Sequence, residues 1–481
     1  MHCQKPIIIC NLLLAALTVS GQQVTIEGVW KHTADPVIVA ALPVDGKQFE
    51  GAANRILIDT LTGTFRQHFP LSQPGFITVT NAWNSRQFFA SPGKVYTITG
   101  DSSLVMLKGD QQEGQELLQD LKLAEDTRED ATLLNGIATA EGRVSKVKDM
   151  IRQKQKAVAQ LHDSGKINDA FFKALHAAIQ RYYIDLLSTN FYFEYRSKED
   201  NVAGVKAFRT EYLPVWKKLY EDQAIFNNLL PATGYLSVLG RYSAYREIAD
   251  SGRLIFTQKK GNYRMDDIDY FRKVLKGPAL EYAWADFIVS GINMNLYESA
   301  WKNYYNQFRK TFPQSKLTPL LSGYIDKITA YEKAASNPNN GAEFLAGYDK
   351  MKQLKEVFAA LKGKVSYIDL WATWCVPCRA ELQYSLELHD TLHQLGVQSL
   401  YLSLDNEAAD AKWKEMVKHL PLKGLNMRTS NELHQDINDN LPRYTGIPRY
   451  IILDKNGDVV VWDAKRPSDK LELITQLKQY L

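Results

Sequence analysis

The sequence predicts a multidomain protein with an N-terminal β-sandwich, a central all-α domain and a C-terminal α/β fold. Three observations carry this. A chain of 481 residues is too long for one hydrophobic core. Its texture changes twice, from short β-prone runs to long helical stretches and then to strand and helix in alternation. Its close cysteine pair, Cys375 and Cys378, lies where the last pattern begins.

The first 21 residues come before any of these domains. Lys5 precedes an apolar run from Ile7 to Leu17, and the small residues Ser20 and Gly21 lead into polar Gln22 and Gln23. This pattern predicts a signal peptide over 1–21, cut after Gly21. A retained anchor is the alternative, but the run is short beside the about 20 apolar residues that a span needs. Cys10 suggests a lipid-modified start, against which bulky Ile9 stands where a small residue would be wanted. Export would leave the mature chain where thiols can be oxidised.

Residues 22–110 alternate β-prone runs with turn residues: 37–40, 55–59, 75–80 and 94–99. That spacing predicts the β-sandwich. No cluster of acids, histidines or cysteines stands out in it, so it reads as a recognition or spacer module. From 111 to 345 apolar and charged residues recur at helical spacing with few glycines or prolines. Aromatic groups such as Tyr182 and Tyr183, Phe191 to Tyr195, and Trp301 to Tyr305 could line a peptide or sugar groove, though helical-core packing explains them more simply. A turn-rich patch over 335–341 marks the next boundary.

Within 346–481 the pattern predicts a strand over 364–370, a helix over 379–395 and a second strand over 397–404. Two further strands, 450–453 and 459–462, form a hairpin closed by Asn456-Gly457. A helix from Ser468 finishes the chain.

Composition excludes several classes of function. Hydrophobic content of 45% and charged content of 23% are ordinary for soluble globular protein. The formal net charge of +4 comes without a dense basic block, so no nucleic-acid partner is expected. There is no phosphate-binding glycine loop and no nucleophile elbow, and no cofactor is implied. Cys375 and Cys378 lack a second ligand pair for structural zinc. His389 and His393 lie four apart on a helix but enclose no glutamate of a zinc protease, and they read as a solvated face. Asp454 to Asp458 lacks the full ligand series of a calcium loop. No metal site is expected.

The run 367–381, YIDLWATWCVPCRAE, poses the choice among a metal knuckle, a structural crosslink and a reactive dithiol. Cys3 and Cys10 lie in the leader, which leaves one pair in the mature chain, and one short crosslink would stabilise so large a protein little. At a strand-to-helix junction the unpaired N–H groups and the helix dipole favour a thiolate. Cys375 is then the exposed attacking thiol, and Cys378, three residues on, resolves the mixed disulfide. Pro377 suits the first turn, where its missing N–H has no partner to lose.

These residues resemble the thioredoxin-fold proteins, and more closely the TlpA/ResA-like thiol-disulfide oxidoreductases. The likeness rests on Ile368 to Arg379, on Ser403-Leu404-Asp405 and on Gly446 to Gly457, and it covers about 346–481. The β-rich front, the helical middle and the late stretch 464–468 also resemble exported TlpA-like proteins of Bacteroidetes. The resemblance implies a thioredoxin-like C-terminal fold and makes Asp369 a buried acid that moves protons for the second cysteine. It places a cis-proline loop at Ile447-Pro448, where Ile447 offers its backbone to an extended substrate beside Trp374. Tyr401 stands near the place of the lysine that pairs with the acid in many thioredoxins. Residues 348–357 read as helix where the family opens with a hairpin.

Two functions follow as expectations. The first is a periplasmic oxidoreductase that reduces or isomerises disulfides in exported proteins and is recharged by a membrane-embedded electron donor. The second is an extracytoplasmic binding or scaffold protein with a redox-inactive tail.

Overall fold

The computed structural model describes residues 23–481 apart from 32–36, 50, 60, 82–83, 102–104, 124–126, 222–223, 255–262, 296–298, 336–341, 421 and 443–445. The leader 1–21, with Cys3 and Cys10, lies outside the described residues. So does the boundary patch, except Ala335, which ends a helix. The chain groups into two compact units, one of residues up to Tyr263 with Leu275–Ala279, the other of Arg264–Val274 with Leu280–Leu481.

In the first unit two four-stranded sheets enclose one apolar core. One runs in the order Thr64–Pro70, Gln23–Trp30, Val95–Gly100, Val105–Lys108, and the other Ala53–Leu57, Val37–Ala41, Gly75–Asn81, Asn84–Ala90. Alternate residues face inward, among them Val24 and Ile26, Ile38 and Ala40, Ile77 and Val79, and Tyr96 and Ile98. Gly28 has φ 155°, and a Cβ there would stand 1.7 Å from the Ile98 carbonyl oxygen. Only glycine lets the first strand pair so closely with Val95–Gly100.

Helices follow in this unit. The longest, Asp169–Arg196, is N-capped by Asn168, whose side chain accepts from the Phe171 N–H at 2.9 Å. Tyr182, Tyr183, Phe191 and Tyr195 on it are buried, as core packing requires. Trp301 and Tyr305 are likewise buried in the second unit. Among the described residues no helix is long and apolar enough to cross a membrane.

The second unit holds the helices from Leu280 to Ala335 and the C-terminal fold. That fold has strands β1 (Ala342–Phe344), β2 (Ser366–Trp371), β3 (Gln398–Ser403), β4 (Gly424–Arg428), β5 (Arg449–Leu453) and β6 (Val459–Val461). Its helices are α1 (Leu354–Ala360), α2 (Val376–Gln394), α3 (Asp410–His419), α4 (Asn431–Asn440) and α5 (Leu471–Lys478). The sheet order is β6-β5-β2-β3-β4-β1. β2 is parallel to β3 and antiparallel to β5, so it lies in the middle, and all six of its residues are buried. One face packs against α2 and α5 through Tyr367, Tyr450, Leu388, Leu392 and Leu473. The other carries Ile368, Leu370, Leu400 and Leu402 against Trp413 and Met416 of α3.

Three local expectations are corrected. Residues 348–357 are not one helix but a 3₁₀ turn, Tyr348–Lys350, followed by α1 from Leu354. The Glu356 carboxylate accepts from the N–H groups of Lys352 and Gln353 and so fixes that later start. The last helix begins at Leu471, after a 3₁₀ turn at Pro467–Asp469. The hairpin turn is longer than two residues, because the Asp454 carboxylate accepts from both the Asn456 and Asp458 N–H groups.

Between β2 and α2 the backbone must leave a buried sheet and enter a helix within four residues. Asp405, 1% exposed just after β3, holds that junction. Its carboxylate accepts from the Thr373 N–H at 2.8 Å, the Thr373 hydroxyl at 2.6 Å and the Ser403 hydroxyl at 2.7 Å. A buried carboxylate that loses a donor costs about 1–3 kcal/mol. Thr373→Val should therefore destabilise the second unit by about that amount, whereas Thr373→Ser should retain most of the stability. Urea denaturation followed by tryptophan fluorescence checks this, and equal midpoints for the two variants would show that the hydroxyl contributes nothing.

Candidate functional site

The junction delivers Cys375 to the N-cap of α2, with Pro377 in the first turn. The Cys378 N–H donates to the Cys375 sulfur at 3.2 Å, and the two cysteines form a disulfide. The pair thus spans one helical turn, with its outer sulfur at the positive end of the helix dipole.

The expectation of an exposed Cys375 needs correction. It is 4% exposed and Cys378 1%. The Ile447 carbonyl oxygen lies 3.8 Å from the Cys375 sulfur and covers it, while the neighbouring Trp374 takes the solvent at 62% exposure. The outward side chain at this turn is therefore the aromatic.

Ile447 and Pro448 are half-buried and joined by a cis peptide bond. Arg449 anchors the loop from below. Its guanidinium donates to the Pro442 carbonyl at 3.0 Å, before the loop, and to the Trp462 carbonyl at 2.8 Å on the far side of the hairpin. Sequence reasoning missed Arg449, although an arginine directly after the proline and inside an apolar strand was a visible signal.

Asp369 stands in β2 on the face that α2 covers. In register it lies opposite Tyr401 of β3 and Tyr450 of β5. It is 2% exposed, and neither carboxylate oxygen has a protein hydrogen-bond partner. Burial pushes its pKa well above the usual carboxylate range, and the like charge of Glu381 adds to the rise. Tyr401 occupies the register position beside the acid, so no lysine reaches it from β3.

Glu381, one turn after Cys378, was also missed. Its carboxylate accepts from the Ser468 N–H at 3.0 Å and the Ser468 hydroxyl at 2.9 Å. The Tyr367 hydroxyl donates to the Lys465 carbonyl at 2.8 Å. These bonds fasten the stretch 464–468 over the face that holds Asp369. Arg379, next to Cys378, donates to the Asn293 carbonyl at 2.8 Å and ties the dithiol helix to a helix of the preceding region.

The structure thus gathers Cys375, Cys378, Trp374, Ile447 and Pro448 at one end of the sheet and sets Asp369 on the α2 side of the strand that leads to them. His389 and His393 lie further along α2 with ring centroids 6.1 Å apart, on a groove with Glu343, Lys364 and Lys423.

Comparison with known proteins agrees with this geometry. Residues 341–475 match the Redoxin family. The thiol-disulfide oxidoreductase ResA of Bacillus cereus is 29% identical over 163 residues, which cover 33% of this chain and 85% of that protein. ResA of Bacillus thuringiensis subsp. konkukian is also 29% identical over 163 residues, with the same coverage. The solved thioredoxin domain of a Bacteroides vulgatus thiol-disulfide oxidoreductase is 24% identical over 25% of this chain and 82% of that one, with a TM-score of 0.21. The C-terminal Redoxin match and the ResA relatives support a TlpA/ResA-like thioredoxin fold over that part of the chain, which is similar to thiol-disulfide oxidoreductases.

Proposed function

We propose that this protein is a periplasmic oxidoreductase that reduces or isomerises disulfides in exported proteins through Cys375 and Cys378. The observation that carries the proposal is the place of Cys375. Its sulfur caps a helix, receives the Cys378 N–H and lies beside the Ile447 carbonyl.

In the reduced protein the helix N-terminus stabilises the Cys375 thiolate. That thiolate attacks a substrate disulfide, forms a mixed disulfide and releases one substrate thiolate. Asp369 then accepts the Cys378 proton, and the Cys378 thiolate attacks the Cys375 sulfur. The intramolecular disulfide forms, the second substrate thiolate leaves, and two electrons have passed to the substrate. In isomerisation a substrate thiol, rather than Cys378, resolves the mixed disulfide. Trp374 and the backbone of Ile447 receive the substrate segment, and main-chain pairing of this kind accepts many sequences. A membrane-embedded donor of electrons returns the protein to its dithiol form.

Cys378→Ser removes the resolving thiol and should accumulate reductant-sensitive, higher-mass adducts in periplasmic extracts, while Cys375→Ser should trap few or none. Mass spectrometry of the adducts names substrate and donor. Equal trapping by both variants would overturn the assigned roles. A dithiol that does not cycle at about −270 to −200 mV would favour the binding-protein alternative.

Asp369→Asn should slow insulin-disulfide reduction at neutral pH, because Cys378 loses its proton acceptor. It should also stabilise the oxidised protein. Below about pH 3.9, the usual aspartate value, folded and unfolded states both carry the proton. Above it the unfolded state ionises first, so the raised folded pKa costs stability as pH increases. The variant lacks that cost. Its denaturation midpoint should exceed the parent's at pH 7, with the difference vanishing as the pH falls below the usual aspartate value. An unchanged rate would remove the proton-transfer role, and an unchanged midpoint would deny the unfavourable burial.

A further inference from the structure

Asp369 is a buried acid whose two oxygens have no protein partner, and such groups in folded proteins are commonly served by an internal water. The space beside it meets the requirements for one. Asp369, Ser385, Ser399 and Tyr401 border a cavity of about 10 Å³, near the least volume that admits a single water. The sheet register sets the Tyr401 ring beside the acid on β3, and the Ser385 hydroxyl of α2 borders the same space, buried and without a protein hydrogen-bond partner. Tyr367 also borders the space, but its hydroxyl is engaged by the Lys465 carbonyl.

We propose that this cavity binds one water molecule, hydrogen-bonded to the Asp369 carboxyl and anchored by the hydroxyls of Ser385 and Tyr401, and that this water sets the proton affinity of Asp369. The functional half rests on the proposed role of Asp369 as proton acceptor. A water suits both states of the acid, since it accepts from the protonated carboxyl and donates to the carboxylate after the Cys378 proton has arrived. A lysine at the Tyr401 position would supply a positive charge; here a neutral donor does the work.

The groups facing Asp369 leave this role open. From β2 there is Tyr367, from β3 Tyr401 and from β5 Tyr450, whose hydroxyl lacks a protein partner. From α2 there is Glu381, whose charge opposes ionisation. Arg466 and Asp469, from the segment packed over this face, act on Tyr450. A donated hydrogen bond is therefore what can draw the acid back toward the usual carboxylate range. Its removal should raise the proton affinity further, because a hydrogen bond to the carboxylate is stronger than the one the neutral acid makes to the same water.

The experiment has two arms on the full chain. In the first, the rate of insulin-disulfide reduction by the reduced protein is followed from about pH 5 to pH 9, above the usual aspartate value. The parent, Asp369→Asn, and the double variant Ser385→Ala with Tyr401→Phe are compared. The parent should show an acid limb, Asp369→Asn should lose it, and the double variant should show it displaced upward by about one pH unit. In the second, a crystal structure of the oxidised parent should show an ordered water within hydrogen-bond distance of Asp369 and Tyr401, absent from the double variant. A parent without that water, at a resolution that shows its neighbours, overturns the site. A limb lost in Asp369→Asn but unmoved in the double variant overturns the water's control of the acid. A limb retained in Asp369→Asn removes Asp369 as proton acceptor and with it the functional half, leaving the crystal to decide the site alone.

Discussion

The site depends on how the backbone crosses from β2 to α2. A central strand buried on both faces has all its ladder bonds made, and a helix starts with N–H groups that have none. The residues between belong to neither pattern, yet they must fix the Cys375 sulfur. Asp405 meets the demand from the neighbouring strand by accepting both the N–H and the hydroxyl of Thr373, and Ser403 completes its shell. With Thr373 held, Trp374 points to solvent and Cys375 falls on the N-cap. The sulfur then serves as the capping acceptor, which a carboxylate or hydroxyl oxygen supplies in most helices. In the proposed reaction, helix initiation and attack thus make use of the same atom.

The cover over the site has comparable bracing. The Ile447 carbonyl lies beside the Cys375 sulfur, and Arg449 braces the strand after Pro448 by bonding the Pro442 carbonyl before the loop and the Trp462 carbonyl across the hairpin. On the opposite flank Glu381 and Tyr367 pull the stretch 464–468 over the face that buries Asp369. Without that strap water would reach the acid, and the desolvation that raises its pKa would fall.

Much of this was legible in the sequence. The apolar run of β2, Cys375 and Cys378 at helical spacing and Pro377 at a helix start mark the junction by local rules alone. The N-terminal strands are legible because alternate residues face one core. What stayed hidden depends on partners distant in sequence. Ser403-Leu404-Asp405 was visible as a motif, but its bond to Thr373 spans 32 residues. β4 was missed because Asn426 and Arg428 break its apolar pattern; Asn426 turns its amide back to the Leu422 and Gly424 carbonyls, and Arg428 pairs with Asp410. β1 has three residues and is held by its pairing with β4 rather than by any pattern of its own. α3 buries only a narrow stripe of Trp413, Met416, Val417 and His419 among charged residues. Cys375 looked exposed because a helix start normally is, and only the fold brings Ile447 over it.

Asp369 and Asp405 show how the same side chain takes two roles on neighbouring strands. Each is almost wholly buried; Asp369 lies two residues before the end of β2, and Asp405 bonds the junction at Thr373 from beyond β3. They differ in the donors around them. Asp405 has the Thr373 N–H and two hydroxyls, so its carboxylate is engaged and fixed as an acceptor. Asp369 faces tyrosine rings, aliphatic side chains and the like charge of Glu381, and its carboxylate oxygens have no donor from the protein. A proton is then the readiest partner for Asp369. Exchange of the two environments, rather than of the residues, would be needed to exchange their chemistry, and the register of β2 against β3 and β5 is what prevents it.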